Sequence, residues 1–182
     1  MPELNREDRK KILKERAKIL ARAPGIQDDG IQHVNIVEFL IDYDRYCIPM
    51  NYVREVYLIK DITKIPGTPE YVIGIINVRG QIFSVIDIKT FFNIPKRKGF
   101  SNLNKVIIIQ NENMEFGIVA DSIAGVKSVP LDKIVPPPLT IAESVRKYVK
   151  GITEDQLILL DADQMLTDKS IIVCEGADEK NR

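Results

Sequence analysis

The sequence predicts a mainly β protein built from small antiparallel barrels. One sign is texture: from Val34 onward the chain runs in short, β-branched-rich apolar segments of strand length. Another is punctuation, because turn signals such as Asp42-Tyr43-Asp44-Arg45, Arg79-Gly80 and Glu112-Asn113 separate those segments. The third is contrast, since the one long helical pattern covers residues 5–23, ahead of the β-rich part. Short strands at close intervals suit small barrels.

In the 5–23 helix, Asn5 is the predicted cap, with Asp8 three residues on in the manner of a capping box. Leu13, Ala17 and Leu20 share one face, with Ile12 and Ile19 beside them, and Pro24-Gly25 stops the helix. Gly25 to Gln32 reads as a linker that ends at His33. Val37 to Ile41 is a predicted strand, and Tyr46-Cys47-Ile48 returns beside it. Val53 to Ile59 fits either period: Val53, Glu55 and Tyr57 alternate, while Val53 and Val56 also fit a helical turn. Thr68-Pro69-Glu70 predicts a short helix, with a cap, a first-turn proline and an acid near the positive end. Gly74 is expected to close it. Asp87 is placed to cap a second short helix through Phe92.

In the second half, Lys105 to Gln110 is a strongly apolar strand, Phe116 to Val119 returns from it, and Val126 to Val129 follows Gly125. Three consecutive prolines, 136–138, lack donors and make a stiff connector rather than a central strand. Gln156 to Leu160 is a strand, Asp161 can cap a last short helix, and Ile171-Ile172-Val173 is a final strand.

Bulk properties narrow the class. At 182 residues the chain suits one compact domain or two small subdomains, and 45% hydrophobic with 29% charged residues excludes a largely disordered chain. The formal net charge is zero, so nothing pulls the whole chain toward nucleic acid or a membrane surface. Residues 1–23 nevertheless hold eight basic and four acidic side chains, a local net charge of +4. The start is too charged for a signal peptide, and no apolar run approaches a membrane span. The reading is a cytoplasmic protein in which Cys47 and Cys174 are buried thiols.

The usual parts of catalysis are missing. The one histidine, His33, sits at the end of the linker, and it makes no zinc-ligand spacing with the two cysteines. No glycine-rich phosphate loop is present. Asp42 and Asp44 fit a hairpin turn better than a calcium loop, and Asp121 fits a strand-end turn better than a general acid. Basic residues are not interleaved with aromatics in the manner of a nucleic-acid platform. No metal or cofactor is expected. Three readings stay open on the residues alone: a protein-binding module, a small β-barrel ligand sensor or enzyme using Asp121, Asp87 and Glu55, and a nucleic-acid binder working through the basic helix.

The segment from Gly74 to Lys89 favours the binding module. One apolar run stops at Arg79-Gly80 and another starts at Ile82, which places Arg79 at the tip of a hairpin. This segment resembles the signature of the CheW family, adaptors that couple chemoreceptors to the histidine kinase CheA. The resemblance rests on Asn77-Val78-Arg79-Gly80 and Val85-Ile86-Asp87-Ile88. It extends to Tyr46-Cys47-Ile48, Val53-Arg54-Glu55-Val56, the segment Ile62 to Tyr71, Phe116 to Asp121, the proline-rich Ile134 to Pro138, and Gly151 with Leu157 to Leu160. It covers about residues 34–175.

The resemblance implies two five-stranded SH3-like barrels side by side, no enzyme activity and a cytoplasmic array of receptor, kinase and adaptor. The implied partners are the CheA regulatory domain and chemoreceptor cytoplasmic tips, with no nucleic acid and no insertion into a membrane. Arg79 and Glu55 carry over as receptor-facing residues, flanked by Val53, while Gly74 and Gly80 are turn glycines required by the backbone. The expected division is a basic helix and linker over 1–33, the family domain over 34–175 and a polar tail over 176–182. The basic helix is not part of the family's core and leaves open a chemotaxis-like pathway with another output.

Overall fold

The computed structural model describes residues 31–95, 104–168 and 170–171. The predicted helix over 5–23, Cys174, residues 172–173 of the predicted last strand and the tail over 176–182 lie outside them. The chain divides into two units at Ile31/Gln32, and both sheets belong to the second.

Eleven strands form two sheets among the described residues. The first sheet takes β1 (His33–Ile41), β2 (Asp44–Pro49), β8 (Ser122–Pro130), β9 (Ile134–Val135), β10 (Val149–Thr153) and β11 (Ile158–Leu160), in the order β8-β1-β2-β11-β10-β9. The second takes β3 (Val53–Leu58), β4 (Val72–Val78), β5 (Gln81–Ile86), β6 (Lys105–Gln110) and β7 (Glu115–Ala120), in the order β3-β6-β7-β5-β4. Short helices α1 (Ile88–Phe91), α2 (Glu143–Arg146) and α3 (Ala162–Thr167) connect strands. The mainly β prediction holds. The strand count is corrected to six and five, because the two-residue β9 adds an edge to the first sheet.

Neither ladder closes into a barrel among the described residues, yet the second sheet curls strongly. Thr63 follows β3 at one edge and exchanges backbone bonds of 2.9 and 2.8 Å with Ile75 of β4, the opposite edge. That close approach explains Gly74. The predicted helix over 68–74 does not form; the segment turns, with Val72 N–H donating to Pro69 O at 2.9 Å, and β4 begins at Val72. Gly74 therefore lies in a strand and not at a turn or helix end. Its φ of 151° and the register shift between Val72 and Gly74 mark a bulge, and a Cβ there would sit 2.3 Å from Thr63 O.

The apolar pattern follows burial. In β6, Ile107 and Ile109 face a core shared by both sheets, while Val106 and Ile108 face a second core inside the second sheet. A strand buried on both faces reads as one continuous apolar run, which is why Lys105 to Gln110 was legible as a strand. Phe39, Ile41, Tyr46 and Ile48 of the first sheet meet Ile86, Phe116 and Ile118 of the second in the shared core. Each fully buried side chain of this size contributes about 1.5–3 kcal/mol. A smaller cluster of Ile36, Cys47, Leu157 and Leu159 fills the first sheet.

Two predicted caps form as expected. The Asp87 carboxylate accepts from Lys89 N at 3.0 Å and Thr90 N at 3.3 Å, and the Asp161 carboxylate accepts from Gln164 N at 3.0 Å. His33 is corrected from linker to first residue of β1, where it pairs with Pro130.

Candidate functional site

The Arg79-Gly80 tip is a two-residue hairpin turn between β4 and β5. Both residues are left-handed, with φ of 52° at Arg79 and 89° at Gly80, the pairing that matches the right-handed twist of the strands. Gly80 takes this conformation without cost, and its N–H donates to Asn77 Oδ1 at 2.9 Å. Arg79 holds it against the steric preference of a residue with a Cβ, at about 1–2 kcal/mol. Its side chain is 83% exposed.

Glu55 comes to the same place from the other edge of the sheet. Glu55 Oε2 lies 3.3 Å from Arg79 Nη2, and the Glu55 side chain is only 21% exposed. The β3–β6 register shifts between Val53 and Glu55, so Arg54 is the extra residue of a bulge that bends the strand. Arg54 Nη1 donates to Glu115 Oε2 at 2.6 Å, its other amine donates to Gln81, and its guanidinium stands 5.3 Å from the Phe83 ring centroid. These contacts tie β3 to β5 and β7. Sequence reading missed Arg54, whose only visible signal was its place inside the Val-Arg-Glu-Val element.

Of the predicted site residues, Arg79 and Glu55 are brought together. Val53 is half-buried and packs against the shared core. Outward along β3 stand Val56 and Leu58, and Ile82 follows the tip on β5, all exposed apolar side chains. Gly80 shapes the tip, while Gly74 allows the close approach of Thr63 to β4. The other candidate carboxylates have structural work: Asp87 caps α1, and Asp121 Oδ2 accepts from Asp42 N at 2.5 Å. Cys47 is buried, and burial pushes its thiol up to about 12.

No group of three or more His, Cys, Asp or Glu suited to a metal ion occurs among the described residues, and no helix there is long and apolar enough to cross a membrane. What the surface does offer is a rigid charged tip beside exposed apolar strands. These features define a β-sheet docking module.

The chain belongs to the CheW-like domain family, whose model matches residues 35–170. It is 28% identical to the chemotaxis protein CheW of Treponema pallidum over 152 residues, covering 80% of this chain and 88% of that protein. It is 26% identical to the chemotaxis protein CheW of Thermotoga maritima, covering 81% of this chain and 96% of that protein. Among solved structures, the scaffolding protein TtCheW of Thermoanaerobacter tengcongensis aligns with a TM-score of 0.61 at 36% identity, over 71% of this chain and 89% of that one.

Proposed function

We propose that this chain is a non-enzymatic, cytoplasmic scaffold of chemotaxis signalling that couples chemoreceptor tips to the regulatory domain of the histidine kinase CheA. Its work is positional: it contributes surfaces that hold receptor and kinase in one assembly, so that a change in the receptor alters kinase activity. Arg79 makes the receptor contact, Glu55 orients it and Val53 flanks them. Family membership over residues 35–170 and the chemotaxis and scaffolding names of the relatives support the scaffold role. The single observation behind the receptor assignment is the exposed, left-handed Arg79 held at the tip by Glu55. The two-residue turn requires that conformation and so projects the Arg79 side chain outward from the hairpin.

The appendage expected over residues 1–33 ends before His33 in this reading, because His33 is already the first residue of β1, and the family match, which begins at residue 35, supports a boundary there. The test is a binding assay of the full chain against a CheA regulatory domain and a receptor cytoplasmic fragment, each immobilised in turn. Binding to both upholds the proposal; binding to neither overturns it.

A further inference from the structure

Lys89 is a charged side chain in an unusual place. It projects from the first turn of α1, is 2% exposed, and directs Nζ at two carboxylates of the other sheet: Asp42 Oδ2 at 2.9 Å and Asp44 Oδ2 at 2.7 Å. Asp42 lies in the β1–β2 turn, and Asp44 is the first residue of β2. Burial works against the Lys89 charge, but bonds to Asp44 and Asp42 outweigh it and hold the ammonium above its ordinary pKa. The same turn is gripped a second time. Asp42 N–H donates to Asp121 Oδ2 at 2.5 Å, and Asp121 N–H donates to Leu40 O at 2.9 Å, just past the end of β7. Lys105 Nζ of β6 donates to Asp121 O at 3.1 Å. Asp42 meets these partners in a left-handed conformation, with φ of 54°.

Among the described residues the two sheets also share an apolar core. The apolar driving force is itself non-directional, so a directional ion-pair network can add to what packing alone fixes of the angle between the sheets. Replacing a whole buried ion network by neutral groups is often nearly neutral for stability, and in some proteins such a network selects one arrangement. We propose that Lys89, Asp42 and Asp44 form a latch that sets the orientation of the two sheets, and that Lys89 is a positioning residue for simultaneous engagement of two partners. The second half of this statement rests on the adaptor reading above; the first half does not.

The test measures orientation directly. Spin labels at Ser84→Cys on the second sheet and Ser128→Cys on the first, both exposed positions, report the inter-sheet distance in a Cys174→Ser background. The triple variant Lys89→Met/Asp42→Asn/Asp44→Asn removes the three charges of the network together, so that none of them is left without its partner. The latch predicts a distance distribution about twofold broader than in the parent, at a urea midpoint close to the parent's. A distribution as narrow as the parent's overturns it. If the triple variant does not fold, the double variant Lys89→Met/Asp42→Asn supplies the same decision, because it removes the two buried charges and leaves only the partly exposed Asp44 carboxylate: broadening upholds the latch, and no change overturns it. Assembly is read separately. Single-partner affinities should stay near the parent's while formation of the three-component complex falls ~tenfold. Broadened distances with an unimpaired complex would sink the engagement claim and leave the latch standing, whereas a parent chain that binds neither partner would refute the adaptor reading alone.

Discussion

Glu55 and Arg79 meet at 3.3 Å although they come from opposite edges of the second sheet, β3 and the β4–β5 turn. The bulge at Arg54 bends one edge, and the left-handed pair Arg79-Gly80 folds the other. The result is a positive tip whose direction is fixed by a half-buried acid. An ion pair this exposed stabilises the fold by less than about 1 kcal/mol, so its replacement should leave the fold intact.

Arg79→Glu puts a negative charge beside Glu55 and removes the tip cation. Receptor-fragment affinity is expected to fall by ~tenfold or more, with kinase-domain affinity within about twofold of the parent. Calorimetry against each partner separately checks this; equal loss of both, or a changed circular dichroism spectrum, would contradict it.

The two hairpin glycines should respond differently. At Gly74 a Cβ would meet Thr63 O at 2.3 Å on backbone with φ of 151°, so Gly74→Ala should cost about 2–4 kcal/mol. At Gly80 nothing lies within 4 Å of the added Cβ, and only the conformational strain remains, about 1 kcal/mol. Urea unfolding of both variants decides it, and a Gly80→Ala loss equal to that of Gly74→Ala would refute the account of the bulge.

Acid should weaken the fold partly through Asp168. Lys147 is the main cause of its depressed pKa, which lies well below the ordinary 3.8, with Ser170 and Tyr148 adding hydrogen bonds. A folded value below the unfolded one means the stabilisation is full above about pH 4 and is lost as pH falls toward the folded value. The gap in urea midpoint between the parent and Asp168→Asn should therefore be widest near about pH 7 and narrow toward about pH 2. A gap constant over that range would rule the linkage out.

Cys47 should be chemically silent in the native state. Burial comes first in raising its thiol to about 12, with the Glu38 carboxylate adding to it. In a Cys174→Ser background, an aromatic disulfide reagent at about pH 8 should react only as fast as the protein opens, because the thiolate is the attacking species. Stoichiometric reaction within mixing time would contradict the burial.

Much of this fold was legible because local chemistry agreed with tertiary placement. Asp87 and Asp161 read as caps because a carboxylate before a turn accepts from N–H groups two or three residues on, which is wholly local. Thr68-Pro69-Glu70 misled, because its local helix signal lost to the pairing of β4 with β5 and with Thr63. β10 was missed as a strand in its own right. It carries Lys150 and Gly151, and the glycine is there because a Cβ would sit 2.4 Å from Ile134 Cγ2 and 2.8 Å from Val135 O. Glu55 was legible as the neighbour of Arg79 from the resemblance alone, and the 3.3 Å ion pair is how the fold brings them together. Lys89 gave no signal, since its partners lie 47 and 45 residues away in sequence.

The central claim is that this chain bridges two partners at once, and co-sedimentation tests it most directly. Receptor cytoplasmic fragments displayed on vesicles are spun down with CheA in the presence and absence of the chain. The adaptor account predicts that CheA pellets with the receptor in proportion to the chain added, and that Arg79→Glu removes this dependence. CheA that pellets equally without the chain, or a chain that pellets with receptor while leaving CheA in the supernatant, would contradict it.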